Sequence, residues 1–514
     1  MNQVGAGSVA AASAGKNADL TMRASILLPS LPLLAALSLA AGEPGNRPRR
    51  EGAADRGGGR GEVRMPPPAA RTEVPAEAWT LLLARPTARR VTLSIRCASD
   101  RDGHVEFGPA GGGLSRRTPP RRFPAGEAVH LVLDGLTPGA RHEYRFVSRD
   151  PSGAAAASPV HAFSTARPPG SPFVFTIQAD SHLDQGVDPG AYRKSLEHAV
   201  AAGTDFHVDL ADTFMTDKYL RPEDARPHYL AQRHYLGIVG RVAPVFLVLG
   251  NHDGEQRGRG GSVMDPTTAW SNTMRRSLFP HPTPDAFYSG NEETVPGLGL
   301  IENYCAWEWG DALLIALDQY WTSARVRSAG ENWGRTLGRA QYDWLRRVLA
   351  ASRARYTFVF IHHLVGGETR EGRGGAEAAP FFEWGGRDLE GRDRFAERRP
   401  GWDAPIHELL RRRGGGVAVF HGHDHLYAHQ ERDGIVYQLV PQPGHSRFDQ
   451  TRSAAEYGYK SGVIQGAAGI LRISVGADRA VSEYVRSYPD SAENGTRRSG
   501  SVSHRWELAP RSAR

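Results

Sequence analysis

The chain has 514 residues, 40% of them hydrophobic and 23% charged. At roughly 150 residues per domain this suggests two to four domains, and the balance excludes a collagen-like or wholly disordered chain. The formal charge is +7, but only four of the 63 basic residues are lysine, and the arginines are scattered along the chain. A nucleic-acid face needs clustered basic residues with interleaved aromatics, and no such module is evident. Cys97 and Cys305 exclude a disulfide framework or a cysteine-based zinc site.

In chain order, the first feature is Met22-Arg23 ahead of an apolar stretch from Ala24 to Ala41 that ends in Ser38-Leu39-Ala40. A charged start, an apolar run and a small-x-small end predict a signal peptide over residues 1–41, starting at Met22, and a secreted or periplasmic protein. It is the one long apolar run, so a multi-span membrane protein is excluded. Pro29 and Pro32 argue against an uncleaved spanning helix, and Arg47, Arg49 and Arg50 argue against easy export. Residues 42–71 are Gly, Pro, Arg and Ala with almost no large apolar residue, which predicts a flexible linker.

Residues 72–168 read as all-β. Trp79–Leu83, Val91–Ile95, Val129–Leu133 and His142–Val147 are strand-like runs between Gly- and Pro-rich turns, which predicts a sandwich. The turn Leu136-Thr137-Pro138-Gly139 before Tyr144 resembles the corner of fibronectin type III domains, which implies that Tyr144 packs there and bonds to backbone. Residues 169–508 then alternate apolar strands with amphipathic helices. Asp188-Pro189 is an N-cap with Pro at the first helical position, Tyr192, Leu196, Ala199 and Val200 form a stripe, and Gly203 ends it. Tyr342, Leu345, Val348 and Leu349 repeat that stripe, so this part is expected to be α/β, leaving 509–514 as a tail.

The chemistry collects after the strands. Phe173–Gln178 is followed by Asp180-Ser181-His182, and Phe206–Leu210 by Asp212. Val245–Leu249 leads into Gly250-Asn251-His252-Asp253, Phe358–Ile361 into His362-His363, and Val417–Phe420 into Gly422-His423-Asp424-His425. Open α/β sheets build their sites at these strand ends. His, Asp and Asn donors suit Zn, Fe, Mn or Ni, and a shared carboxylate suits two ions about 3.5–4 Å apart.

Together these residues resemble the calcineurin-like metallophosphoesterase signature, over about Pro172 to Tyr488. The preceding β-module is similar to the N-terminal domain of purple acid phosphatases. The resemblance implies an α/β fold, a two-sheet β-sandwich flanked by helices, behind a fibronectin-III-like sandwich. It implies that Asp180, His182 and His425 hold one metal, that Asn251, His362 and His423 hold the other, and that Asp212 bridges them. His252 would face the leaving group and Asp253 would orient it. Two divalent ions, Fe, Mn or Zn, would activate water toward a phosphate-ester substrate.

Three departures stand out. Ala211 takes the place of a usual Gly before the bridging Asp, and His362-His363-Leu364 lacks a Pro after the pair. Met215 stands where purple acid phosphatases carry a metal-bound Tyr, with His182 as the replacement ligand, so no tyrosinate colour is expected. His421 and His445 read as structural or rim residues. Two insertions, 254–299 and 365–402, carry no clear signal; Phe381-Phe382-Glu383-Trp384 in the second reads as a packed mini-core. The expected activity is a secreted metal-dependent phosphohydrolase, with phosphomonoesters favoured. The alternatives are a phosphodiesterase on nucleotides or phospholipid head groups, and a cell-surface binding protein with a vestigial hydrolase domain. The sequence leaves the oligomeric state open.

Overall fold

The computed structural model describes residues 70–256, 265–323 and 329–512. The apolar run of residues 24–41 and residues 42–69 of the linker lie outside them. Among the described residues no helix is long and apolar enough to cross a membrane.

The N-terminal module consists of two antiparallel sheets around one core. Trp79–Ala84, Val91–Cys97 and Ala128–Leu133 form the smaller sheet. Arg141–Arg149 pairs with Arg101–Pro109 at the centre of the larger one. Arg101–Pro109 was not foreseen, because its buried Val105 and Phe107 stand among charged and polar residues. Tyr144 is fully buried, and its hydroxyl donates to the Arg241 carbonyl at 2.8 Å. The backbone partner expected for Tyr144 is therefore on the far side of the chain, at a helix end of the α/β part.

Two large mixed sheets make up that part. In one, Phe173–Gln178 runs parallel to Phe206–Asp209, which runs parallel to Val245–Leu247. In the other, Ala312–Ala316, Tyr356–Phe360 and Val417–His421 are parallel neighbours. One apolar cluster draws on both sheets, with Phe175, Ile177 and Phe206 from the first and Phe358, Phe360 and Phe420 from the second. The alternate residues Val359 and Ile361 pack outward against Tyr342 and Leu345 of helix α4 (Gly338–Ala351). Strands buried on both faces read as continuous apolar runs, as these do.

Helix α1 (Pro189–Ala201) starts as expected, with Asp188 Oδ1 accepting from the Ala191 amide at 2.9 Å. Tyr192, Leu196 and Ala199 are buried, while Val200 is exposed. Helix α2 (Arg226–Gly240) was not foreseen; eleven of its fifteen residues are buried. It lies between the first sheet and the N-terminal module, so polar and apolar residues alike are covered on several sides. Helix α3 (Pro266–Leu278), capped by Asp265, gives the 254–299 insertion more order than its composition suggested. In the other insertion Phe382 and Trp384 are buried, and Trp384 Nε1 donates to the Tyr437 hydroxyl at 3.0 Å. That is a packed mini-core.

Tyr144→Phe removes one buried cross-module hydrogen bond and leaves the Arg241 carbonyl without it. The expected cost is about 1–3 kcal/mol, read as a lower denaturant midpoint, with metal content unchanged.

Candidate metal centre

Every expected ligand sits just past the C-terminal end of a parallel strand, and the two sheets bring those ends together. Asp180, His182 and His425 place one donor atom each within 4.8 Å of one another, and Asp212, His362 and His423 do the same beside them. Asp212 Oδ2 lies 3.1 Å from His362 Nε2 of the second cluster and 3.8 Å from His182 Nε2 of the first. Asn251 Oδ1 approaches His362 Nε2 at 3.2 Å. His363 is buried beside this set, and its Nδ1 contacts the Leu364 carbonyl. His445 stands at the rim, its ring 6.4 Å from that of His425.

The chemistry of the donors fits metal ions. Asp180 Oδ1, His182 Nε2 and His423 Nε2 are buried without a hydrogen-bond partner. Buried polar atoms in folded proteins are ordinarily paired. The opposite ring atoms are fixed: His362 Nδ1 is 2.9 Å from the Leu210 carbonyl and His182 Nδ1 is 3.3 Å from Asp184. Such partners set the tautomer that leaves Nε2 free to ligate.

The backbone is strained to achieve this. Asp180, His182, Asp212, His423 and His425 all have positive φ, between 47° and 79°. Each such residue costs about 1–3 kcal/mol and persists only where its surroundings hold it. Ala211, at φ 79°, occupies a conformation that glycine adopts without strain, so the Ala-for-Gly departure is a strained one. Gly250 and Gly422 are needed for closeness instead. A Cβ on Gly250 would stand 2.2 Å from Asp212 Oδ1, and one on Gly422 would stand 2.7 Å from Asp180 Oδ2.

One expected role changes hands. Asp253 does not touch His252. Its carboxylate accepts from the amides of Asp212, Thr213, Phe214 and Gly250 at 2.8–3.1 Å, tying two ligand loops together. The carboxylate that meets His252 is Asp217, 3.0 Å from Nδ1. The order of residues favoured the adjacent Asp253, but the tight turn directs that side chain backward into the amides. The insertions also reach the site. Glu255 forms a fully buried ion pair with Arg275 of α3, and Arg373 bonds to Asp424, between His423 and His425, at 2.7 Å.

The electrostatics favour cations. Burial opposes ionisation of Asp212, yet His362 and His252 hold its carboxyl well below the usual range. Burial would push His362 down, but the Asp212 carboxylate outweighs it and raises its pKa to about 9. His182 is likewise raised, against burial, by Asp180, Asp184 and Asp212. His425 is pushed down by burial to about 3.

No family model matches the chain, and no curated protein matches it in sequence. Solved structures do. The chain aligns with PhoD at a TM-score of 0.59 and 15% identity, covering 85% of this chain and 92% of that one. With the purple acid phosphatase PPD1 from yellow lupin (Lupinus luteus) seeds, the TM-score is 0.54 and the identity 15%, over 84% of this chain and 74% of the other. The fold is metallophosphoesterase-like. In that fold both donor clusters lie at the strand ends described above.

Two outcomes follow from this geometry. Gly250→Ala forces its Cβ into Asp212 and should cost at least one metal equivalent by elemental analysis, with the fold retained by circular dichroism. Metal binding to the metal-free protein at pH 7 should release about two protons, because His182 and His362 must give theirs up. The His362 share should vanish above its pKa of about 9. By the same sign, the metal-free protein loses the stabilisation of that pair as pH rises from 6.5, the ordinary value, through about 9. Titration calorimetry in buffers of different ionisation enthalpy reads the proton count.

Proposed function

We propose that the protein is a metal-dependent phosphoesterase that hydrolyses phosphate esters at a two-metal centre, with monoesters preferred. The observation that carries this reading is the position of Asp212, whose Oδ2 lies within 3.8 Å of a histidine from each cluster. The metallophosphoesterase-like fold supports the reaction class. The preference for monoesters rests on the phosphatase among the structural neighbours.

Asp180, His182 and His425 would hold one ion, Asn251, His362 and His423 the other, and Asp212 both. When bound, such ions supply Lewis acidity toward phosphoryl oxygen and toward water. The chain's own residues do the rest. Asn251 adds an oxygen donor without adding charge. His252 lies outside both clusters, with its side chain 22% exposed at the mouth of the site. Asp217 accepts the Nδ1–H, and in the imidazolium form the Nε2–H would face the substrate and pass its proton to the departing oxygen. We also read residues 1–41 as an export signal and residues 72–168 as a fibronectin-III-like domain. Sequencing the N-terminus of the native protein tests the first.

The test is a panel of model phosphomonoesters and phosphodiesters with added Mn, Zn or Fe, run beside elemental analysis. Protein that carries two ions and cleaves neither class overturns the reading. Asp212→Asn should lose at least one ion and nearly all turnover. His252→Ala should keep both ions while turnover falls by about 10²–10⁴, least for substrates with good leaving groups. Asp217→Asn should follow the same pattern with a smaller loss of about 10–100-fold.

A further inference from the structure

The geometry points to Tyr320 as a residue that touches the substrate, donating its phenol O–H to a phosphoryl oxygen at the second donor cluster. This rests on the phosphoesterase reading above and names a contact that the ligand set does not include.

Tyr320 follows the strand Ala312–Ala316, the parallel neighbour of the strand that carries His362. Its ring centroid lies 6.3 Å from that of His362 and 5.7 Å from that of His363. The side chain is 1% exposed, yet its hydroxyl has no hydrogen-bond partner among the described residues. Arg335 Nη1, Gln319 Oε1, His363 Nε2 and His423 Nε2 are also buried and unpartnered. These atoms belong to one neighbourhood. Arg335 lies over the Tyr320 ring at 4.9 Å, Gln319 bonds to His363, and the His363 and His423 rings are 4.8 Å apart.

A metal ion accounts for His423 Nε2 but not for the donors Tyr320 O–H and Arg335 Nη1. They call for a ligand rich in acceptor oxygens, which a phosphoryl group is. Both are held in place from behind. Asp318 Oδ1 accepts the Tyr320 amide at 2.7 Å, and Glu368 bonds to Arg335 at 2.5 Å. A phenol keeps its proton at neutral pH, so the group is a donor. Met215, at the position where purple acid phosphatases carry a metal-bound Tyr, is buried with φ 52° and brings no such donor.

The test uses the protein with both ions bound, inorganic phosphate as a competitive inhibitor and p-nitrophenyl phosphate as substrate. Tyr320→Phe removes one oxygen and keeps the ring under Arg335. The Ki for phosphate and the KM should rise about tenfold, as expected for one lost hydrogen bond to a charged group. Both ions should remain and the melting temperature should not fall, since no bonded partner is lost. Unchanged Ki and KM overturn the assignment. Loss of an ion, or a visible tyrosinate band in the iron-loaded wild type that the variant lacks, overturns it too, by making Tyr320 a ligand. A wild-type protein that neither binds phosphate nor cleaves the ester defeats the phosphoesterase reading itself. Wild-type activity matched by the variant defeats the Tyr320 assignment alone.

Discussion

Two aspartates, Asp180 and Asp212, are buried within 3.8 Å of the same imidazole nitrogen, His182 Nε2. Carboxylates removed from water must be balanced by positive charge or by donors, or they do not stay ionised. Much of the surrounding architecture meets that demand. Amide donors reach each carboxylate: His423 N bonds to Asp180 Oδ2 at 2.8 Å, and His252 N bonds to Asp212 Oδ1 at 2.9 Å. Those bonds require the chain to turn sharply beside the carboxylate, hence the positive φ values and the two glycines. The remaining oxygens and the imidazoles then face one another, an arrangement that suits cations more than protons.

Strained turns of this kind need a rigid frame. The frame here comes from outside the ligand loops. Asp253 fastens two of them through four amides. Glu255 and Asp424 are gripped by Arg275 and Arg373, arginines that belong to the insertions rather than to the sheets. A buried ion pair is poor evidence for net stability, but breaking one leaves a charge unpaired and so enforces one geometry. The insertions therefore hold the centre in shape as well as surrounding it.

How legible this was in the sequence depended on the range of the interaction. Each ligand candidate follows an apolar strand by only one to five residues, so local order brought these residues into view, and the resemblance to the metallophosphoesterase signature chose the seven among them. The α1 cap and the α4 stripe were legible for the same reason. Asp217 was not, since only the three-dimensional turn decides whether Asp217 or Asp253 meets His252. Helix α2 was not read from the sequence, although its helical apolar periodicity is no weaker than that of α1. Tyr320 lies over a hundred residues beyond Asp212, and its proximity to His362 follows from the pairing of two parallel strands.

Helix α2 has a further consequence. Neighbouring residues on it face opposite ways. Arg233 bonds to Thr80 and to the Ser94 carbonyl of the N-terminal module, at 2.8 and 3.0 Å. Gln232 bonds to Ser181 and to the Thr213 carbonyl, at 3.1 and 2.8 Å, next to the ligand candidates His182 and Asp212. One turn of helix thus spans from the β-module to the loops of the metal centre. The module is a wall of the α/β part rather than a detachable appendage, and truncation behind it would strip α2 of its cover. Melting should accordingly be a single concerted event shared by both halves, and evolution could not exchange the module freely without retuning the loops that carry the donor clusters.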